Sequence, residues 1–80
     1  MELKDEIMGM IIDKAASLFG KDAGELNENT RFTEDLGAKS VNLVQIIAVL
    51  EEEYDVAISF MEFRRAKTIG EAADYVASLC

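Results

Sequence analysis

The sequence predicts an all-α domain: a four-helix bundle with a long first loop and a short third helix. Three observations carry that prediction. Apolar residues recur at spacings of three and four in three separate stretches, the mark of helices with one buried face. Two Ser/Thr-x-x-Glu pairs, Ser59 to Glu62 and Thr68 to Glu71, have the spacing of a capping box and mark helix starts late in the chain. Between the first two periodic stretches lies a polar connection of near twenty residues, longer than packed helices usually need. Eighty residues make one domain over 1–80, long enough for a single core and too short for a second.

The first helix is expected from Leu3 to Phe19, with Leu3, Ile7, Met10, Ile11, Ala15 and Leu18 on its apolar side. Glu2, Asp5 and Glu6 crowd its first turn, where the helix dipole favours negative charge, and Gly20 supplies a stop. The connection from Gly20 to Lys39 is rich in Asp, Asn, Glu and Gly, and Leu26, Phe32 and Leu36 are the residues able to pin it to the core. Its length points to a function or to local structure of its own.

The second helix is the centre of the chain. Ser40 follows loop glycine Gly37 and precedes the most apolar run, so it is read as the helix's first residue and its cap, its oxygen accepting from a first-turn N–H. Leu43, Ile46, Ile47, Leu50 and Tyr54 then form a core-facing stripe. Val41, Val44 and Ala48 lie on a second face that begins beside Ser40, and a small domain cannot cover both. Exposed contiguous apolar surface marks a partner site. The helix ends in Glu51-Glu52-Glu53-Tyr54-Asp55, acids where the dipole disfavours them, which reads as surface charge. After Val56-Ala57-Ile58, Ser59-x-x-Glu62 opens a short helix over about Phe60 to Ala66. Thr68-Ile69-Gly70-Glu71 opens the last, with Ile69, Ala72, Ala73, Val76 and Leu79 as its stripe.

Composition removes several function classes. Lys plus Arg number 8 against 16 Asp plus Glu, a formal net charge of −8, so nucleic acid is an unsuitable partner and basic protein surfaces are suitable ones. There is no histidine, which excludes a His-based metal site and a Ser–His couple. Asp22-Ala23-Gly24-Glu25-Leu26-Asn27 lacks the ligand alternation of a calcium loop, so no metal site is expected. Cys80 is the one cysteine, so no internal disulfide forms and a reducing, cytoplasmic compartment fits. No apolar run approaches a membrane span, and the charges at Glu2, Lys4, Asp5 and Glu6 break any signal-peptide pattern.

In length, acidity and helix order the chain resembles the acyl carrier proteins, and Asp35-Leu36-Gly37-x-x-Ser40 at the start of the second helix carries the match. The resemblance implies a bundle of acyl-carrier type with no catalysis of its own. It implies that Ser40 receives 4'-phosphopantetheine from coenzyme A, donated by a phosphopantetheinyl transferase, and that the arm's thiol carries acyl groups as thioesters. Condensing, acyl-transferring or acyl-loading enzymes of fatty-acid, polyketide or related synthesis are the further partners implied, with the carrier itself a monomer. Partner recognition then falls to Asp35, Lys39, Val41, Val44, Ala48 and Glu51. Two other readings use the same helices: a cofactor-free acidic adaptor in which Ser40 is only a cap, and a peptidyl or aminoacyl carrier.

Acyl carriers usually have Asp before the serine and Leu after it; here Lys39 and Val41 stand there. Asn42 and Gln45 are neutral where the family usually has carboxylates. A transferase with a basic docking surface therefore meets a reversed charge beside Ser40. Recognition is expected to lean on Val41, Val44 and Ala48 more than on charge steering, because desolvated apolar contacts hold a complex while charge mainly sets encounter. Lys39 reads first as a plain solvated lysine; the alternatives are that it neutralises a phosphodiester on Ser40 or meets an acidic patch on a partner. Met8, Met10 and Met61 read first as ordinary core filler; the alternative is that their adaptability lets the core open to admit an acyl chain.

Overall fold

In the computed structural model, which describes residues 2–80, four helices follow in chain order: α1 (Leu3–Phe19), α2 (Ser40–Tyr54), α3 (Phe60–Arg65) and α4 (Ile69–Leu79). A 3-10 turn, Ala23–Glu25, lies in the long connection and is the local structure its length foretold. α1 packs most extensively against α4 and then against α2, while α3 closes the bundle by resting on both α2 and α4. Ile7, Ile11 and Ala15 meet Ile69, Ala72, Ala73 and Val76 in the middle of the molecule. Alanine at three of these positions lets two helices approach closely, because nothing projects beyond Cβ. Leu43, Ile46, Ile47 and Leu50 supply the α2 side of the same core. Phe63 of α3 is fully buried and packs on Phe32 of the connection, ring centres 5.9 Å apart and planes at 44°.

The helix ends explain themselves locally. Gly20 takes up the left-handed region at φ 64° and its N–H donates to the Ala16 carbonyl, the stop expected of it. α2 ends on Asp55 in the same region at φ 52°, a conformation that Asp tolerates better than most residues. Ser59 caps α3 by accepting from the Glu62 N–H at 3.3 Å, and Thr68 caps α4 by accepting from the Glu71 N–H at 3.1 Å.

The reciprocal halves of both boxes differ from expectation. Glu62 turns to Arg65 at 2.8 Å, and the Ser59 N–H donates to the Tyr75 hydroxyl instead at 3.0 Å. Glu71 accepts from the Lys67 N–H at 2.8 Å, one residue before the cap. α3 closes at Arg65 rather than Ala66, whose backbone is already extended. In each case a tertiary or neighbouring partner outcompetes the reciprocal bond.

The long connection is fastened across the start of α4. The Phe32 N–H donates to the Lys67 carbonyl (3.1 Å), the Ile69 N–H to the Thr30 carbonyl (3.0 Å), and Arg31 and Thr68 form one antiparallel bridge. Gly70 donates to the Glu28 carbonyl at 2.9 Å, and a Cβ on Gly70 would stand 2.9 Å from that same oxygen. Leu26 and Phe32 are buried and Leu36 half-buried, so the three expected pins all meet the core. Among the described residues no helix is long and apolar enough to cross a membrane.

Candidate functional site

The connection delivers the chain to α2 through a tight turn. Asp35 accepts the Arg31 N–H on its carboxylate at 2.8 Å while its own N–H donates to the Arg31 carbonyl at 3.0 Å. Glu34 pairs with the Arg31 guanidinium at 3.2 Å on the exposed side of the same turn. Gly37 donates to the Thr33 carbonyl and adopts φ 64°, so the left-handed backbone is what calls for glycine there. A Cβ at Gly37 would touch no other part of the protein.

Lys39, extended at φ −107° and ψ 171°, occupies the capping position, and Ser40 is the first residue inside the helix. That corrects the expectation that Ser40 caps α2. An ammonium has no acceptor, so the Lys39 side chain caps nothing; the Asn42 side-chain oxygen instead accepts from the Lys39 N–H at 2.9 Å. Released from capping, Ser40 is exposed and its hydroxyl bonds to no described residue. The Lys39 carbonyl takes the Asn42 and Leu43 N–H groups at 2.9 and 3.1 Å, leaving those of Ser40 and Val41 open at the positive end of the helix. An anion such as a phosphodiester on this oxygen lies in a favourable field, worth about 0.3–1 kcal/mol at an exposed site.

Val41 is 62% and Val44 51% exposed, and Ala48 is exposed beside them, so the second apolar face of α2 is indeed uncovered. Glu51 is placed otherwise. Half-buried about 16 Å further along the helix, its carboxylate accepts the Ile58 N–H at 2.8 Å and ties down the link to α3. Tyr54, at the end of the core stripe, donates its hydroxyl to Glu6 of α1 at 3.0 Å. Desolvation, reinforced by that carboxylate, pushes its pKa from 10.0 up to about 12. The structure thus lines up Lys39, Ser40, Val41, Val44 and Ala48 along the first half of one helix, with Asp35 in the turn before it and Glu51 one turn beyond Ala48.

Sequence reasoning missed Asn42 as the side chain that organises the helix start; its place three residues after the capping position was the available signal. Two shallow hollows of the surface lie beneath the connection, around Leu26 and Leu36, and beside Gly70; neither is lined by Ser40.

Known proteins place this geometry. The family model for a phosphopantetheine attachment site matches residues 11–76. The acyl carrier protein of Chlamydia felis is 38% identical over 76 residues, 95% of this chain and 92% of its own length. That of Lactobacillus acidophilus is 39% identical over 75 residues, covering 94% of each chain. The chain belongs to the acyl carrier protein family. A solved structure of the acyl carrier protein from Enterococcus faecalis, 23% identical, superposes with a TM-score of 0.79 over 99% of this chain and all of that one, which establishes the shared bundle fold. The cofactor of an acyl carrier is 4'-phosphopantetheine, held covalently, and its handlers are a phosphopantetheinyl transferase and acyl-processing enzymes. The open hydroxyl, the unpaired N–H groups and the uncluttered turn at the start of α2 are compatible with such an arm.

Proposed function

We propose that Ser40 bears the 4'-phosphopantetheine arm, and that the chain is a discrete, non-catalytic carrier presenting acyl thioesters to enzymes of fatty-acid, polyketide or related synthesis. The observation that carries the reading is the Ser40 hydroxyl itself, exposed and unbonded at the first position of α2 within the matched region. The arm supplies the thiol on which cargo rides; the chain supplies its placement. Asn42 orders the helix start, open N–H groups face the phosphate, and Val41, Val44 and Ala48 offer the surface on which a partner rests, with Asp35, Lys39 and Glu51 around it. The carrier acts as a monomer in the cytoplasm.

The test is intact mass after incubation with coenzyme A and a broad-range transferase. The expected result is a gain of one phosphopantetheinyl unit by the native chain and none by Ser40→Ala. A native chain that gains nothing from any transferase would be the cofactor-free adaptor instead. Acyl groups recovered on the purified protein then separate fatty acyl, polyketide and aminoacyl cargo.

A further inference from the structure

The charge of this molecule avoids the start of α2. The chain carries a net charge of −8, yet from Ser40 to Leu50 no residue bears a formal charge. Of the acids that flank this stretch, Glu34 pairs with the Arg31 guanidinium, Asp35 accepts the Arg31 N–H and Glu51 accepts the Ile58 N–H, while Glu52 and Glu53 lie exposed beyond its far end. Lys39 is exposed and forms no ion pair with any described residue. Beyond it, Val41, Val44 and Ala48 fall within an arc of about 60° at the helical turn of 100° per residue, well away from the core-facing arc. The next charges bordering that face are Glu51, held by the Ile58 N–H, and Glu52, about 18 and 20 Å from Lys39 along the helix. Among the described residues, a partner approaching Ser40 therefore meets the unpaired Lys39 ammonium, the exposed Asp35 carboxylate in the turn before it, and an apolar strip.

We propose that Lys39 is a specificity-determining residue of this strip, and that the strip receives a partner protein whose apolar groove carries a carboxylate at the end facing Ser40. Apolar contact with Val41, Val44 and Ala48 holds the complex. Lys39 selects among partners, because a basic side chain opposite it is repelled and an acidic one is drawn in. This rests on the carrier reading of Ser40 and adds to it the chemistry of the surface that reads the serine.

A charge-swap cycle on transfer of the arm tests it. Two enzymes are used: a broad-range transferase with a basic docking surface, and a variant of it in which the basic side chain opposite the residue before the serine is replaced by Glu. Both act on the native carrier and on Lys39→Asp, with circular dichroism checking that the fold is kept. The expected result is a crossing pattern: Lys39→Asp raises kcat/KM about fivefold with the basic enzyme and lowers it by a similar factor with the Glu variant. Added salt narrows the difference between the native carrier and Lys39→Asp with each enzyme, since it screens the charge at that position. Val44→Asp slows both enzymes. Equal rates, or changes in the same direction with both enzymes, overturn the proposal while leaving Ser40 as the attachment point. Absence of any mass gain with either enzyme overturns the carrier reading, and this inference with it.

Discussion

α4 and α2 are comparably apolar helices that use their apolar residues in different ways. α4 turns Ile69, Ala72, Ala73 and Val76 inward and leaves only Leu79, at its end, partly exposed among its large apolar residues. α2 buries Leu43, Ile46, Ile47 and Leu50 and keeps a second apolar face, with Val41 and Val44 more than half exposed. One helix commits its apolar residues to the fold, whereas the other buries one face and leaves the next uncovered, the face proposed above to receive a partner. Burial separates two populations of side chain that hydrophobicity alone would merge.

Substitution should break the comparison cleanly. Ile69 is wholly buried, so Ile69→Ala is expected to cost about 2–5 kcal/mol, whereas Val44→Ala should stay within about 0.5 kcal/mol. Urea unfolding of the two variants gives both values, and a Val44→Ala loss approaching that of Ile69→Ala would mean the second face of α2 is part of the core.

Gly70→Ala should follow, at about 1–3 kcal/mol, because its Cβ would press on the Glu28 carbonyl at 2.9 Å and drive the connection off α4. A lowered melting temperature with faster amide exchange at Gly70 and Ile69 is the expected signature.

The helix starts sharpen the contrast further. Thr68→Ala removes a true cap and should cost about 1 kcal/mol. Ser40→Ala removes no hydrogen bond of the fold and should leave stability within about 0.5 kcal/mol while abolishing loading. Thermal melts of the two unloaded variants, side by side, decide it.

The smallest effect is alkaline. Tyr54 binds its proton more tightly when folded, so its contribution is complete below pH 10 and is lost as pH rises toward about 12. Lys4, its pKa raised mainly by a hydrogen bond to Asp74 on α4, acts in the same sense above its ordinary 10.5. The stability of Tyr54→Phe should therefore fall less steeply between pH 10 and 12 than that of the native chain, as denaturant midpoints across that range would show.

Much of this was legible before any coordinates. The bounds of α1, the stop at Gly20, the core stripe of α2, that of α4 as far as Val76, and the pinning role of Leu26 and Phe32 follow from spacing and residue type; Leu79, the last of the α4 stripe, is exposed where the helix runs out beyond the core. The uncovered face of Val41, Val44 and Ala48 was legible too, since two apolar faces on one helix exceed what three neighbours can cover. Ser40, the proposed attachment point, stood out through its turn and its apolar run, but its local role was misread, because one residue of register separates a cap from a first helical position. Asn42 makes that register possible, and Lys39 cannot substitute for it.

What sequence alone determined, then, is where helices form and which of their faces are apolar, because periodicity, glycine stops and Ser/Thr caps act over a few residues. Tertiary structure alone decided the antiparallel bridge of Arg31 with Thr68, the seating of Glu28 on Gly70, and the withdrawal of Glu51 to the Ile58 N–H. It also decided that Lys39 remains the free charge beside Ser40. These outcomes depend on which groups arrive beside one another after the chain has closed, and a carboxylate's partner is chosen by proximity that no local pattern encodes.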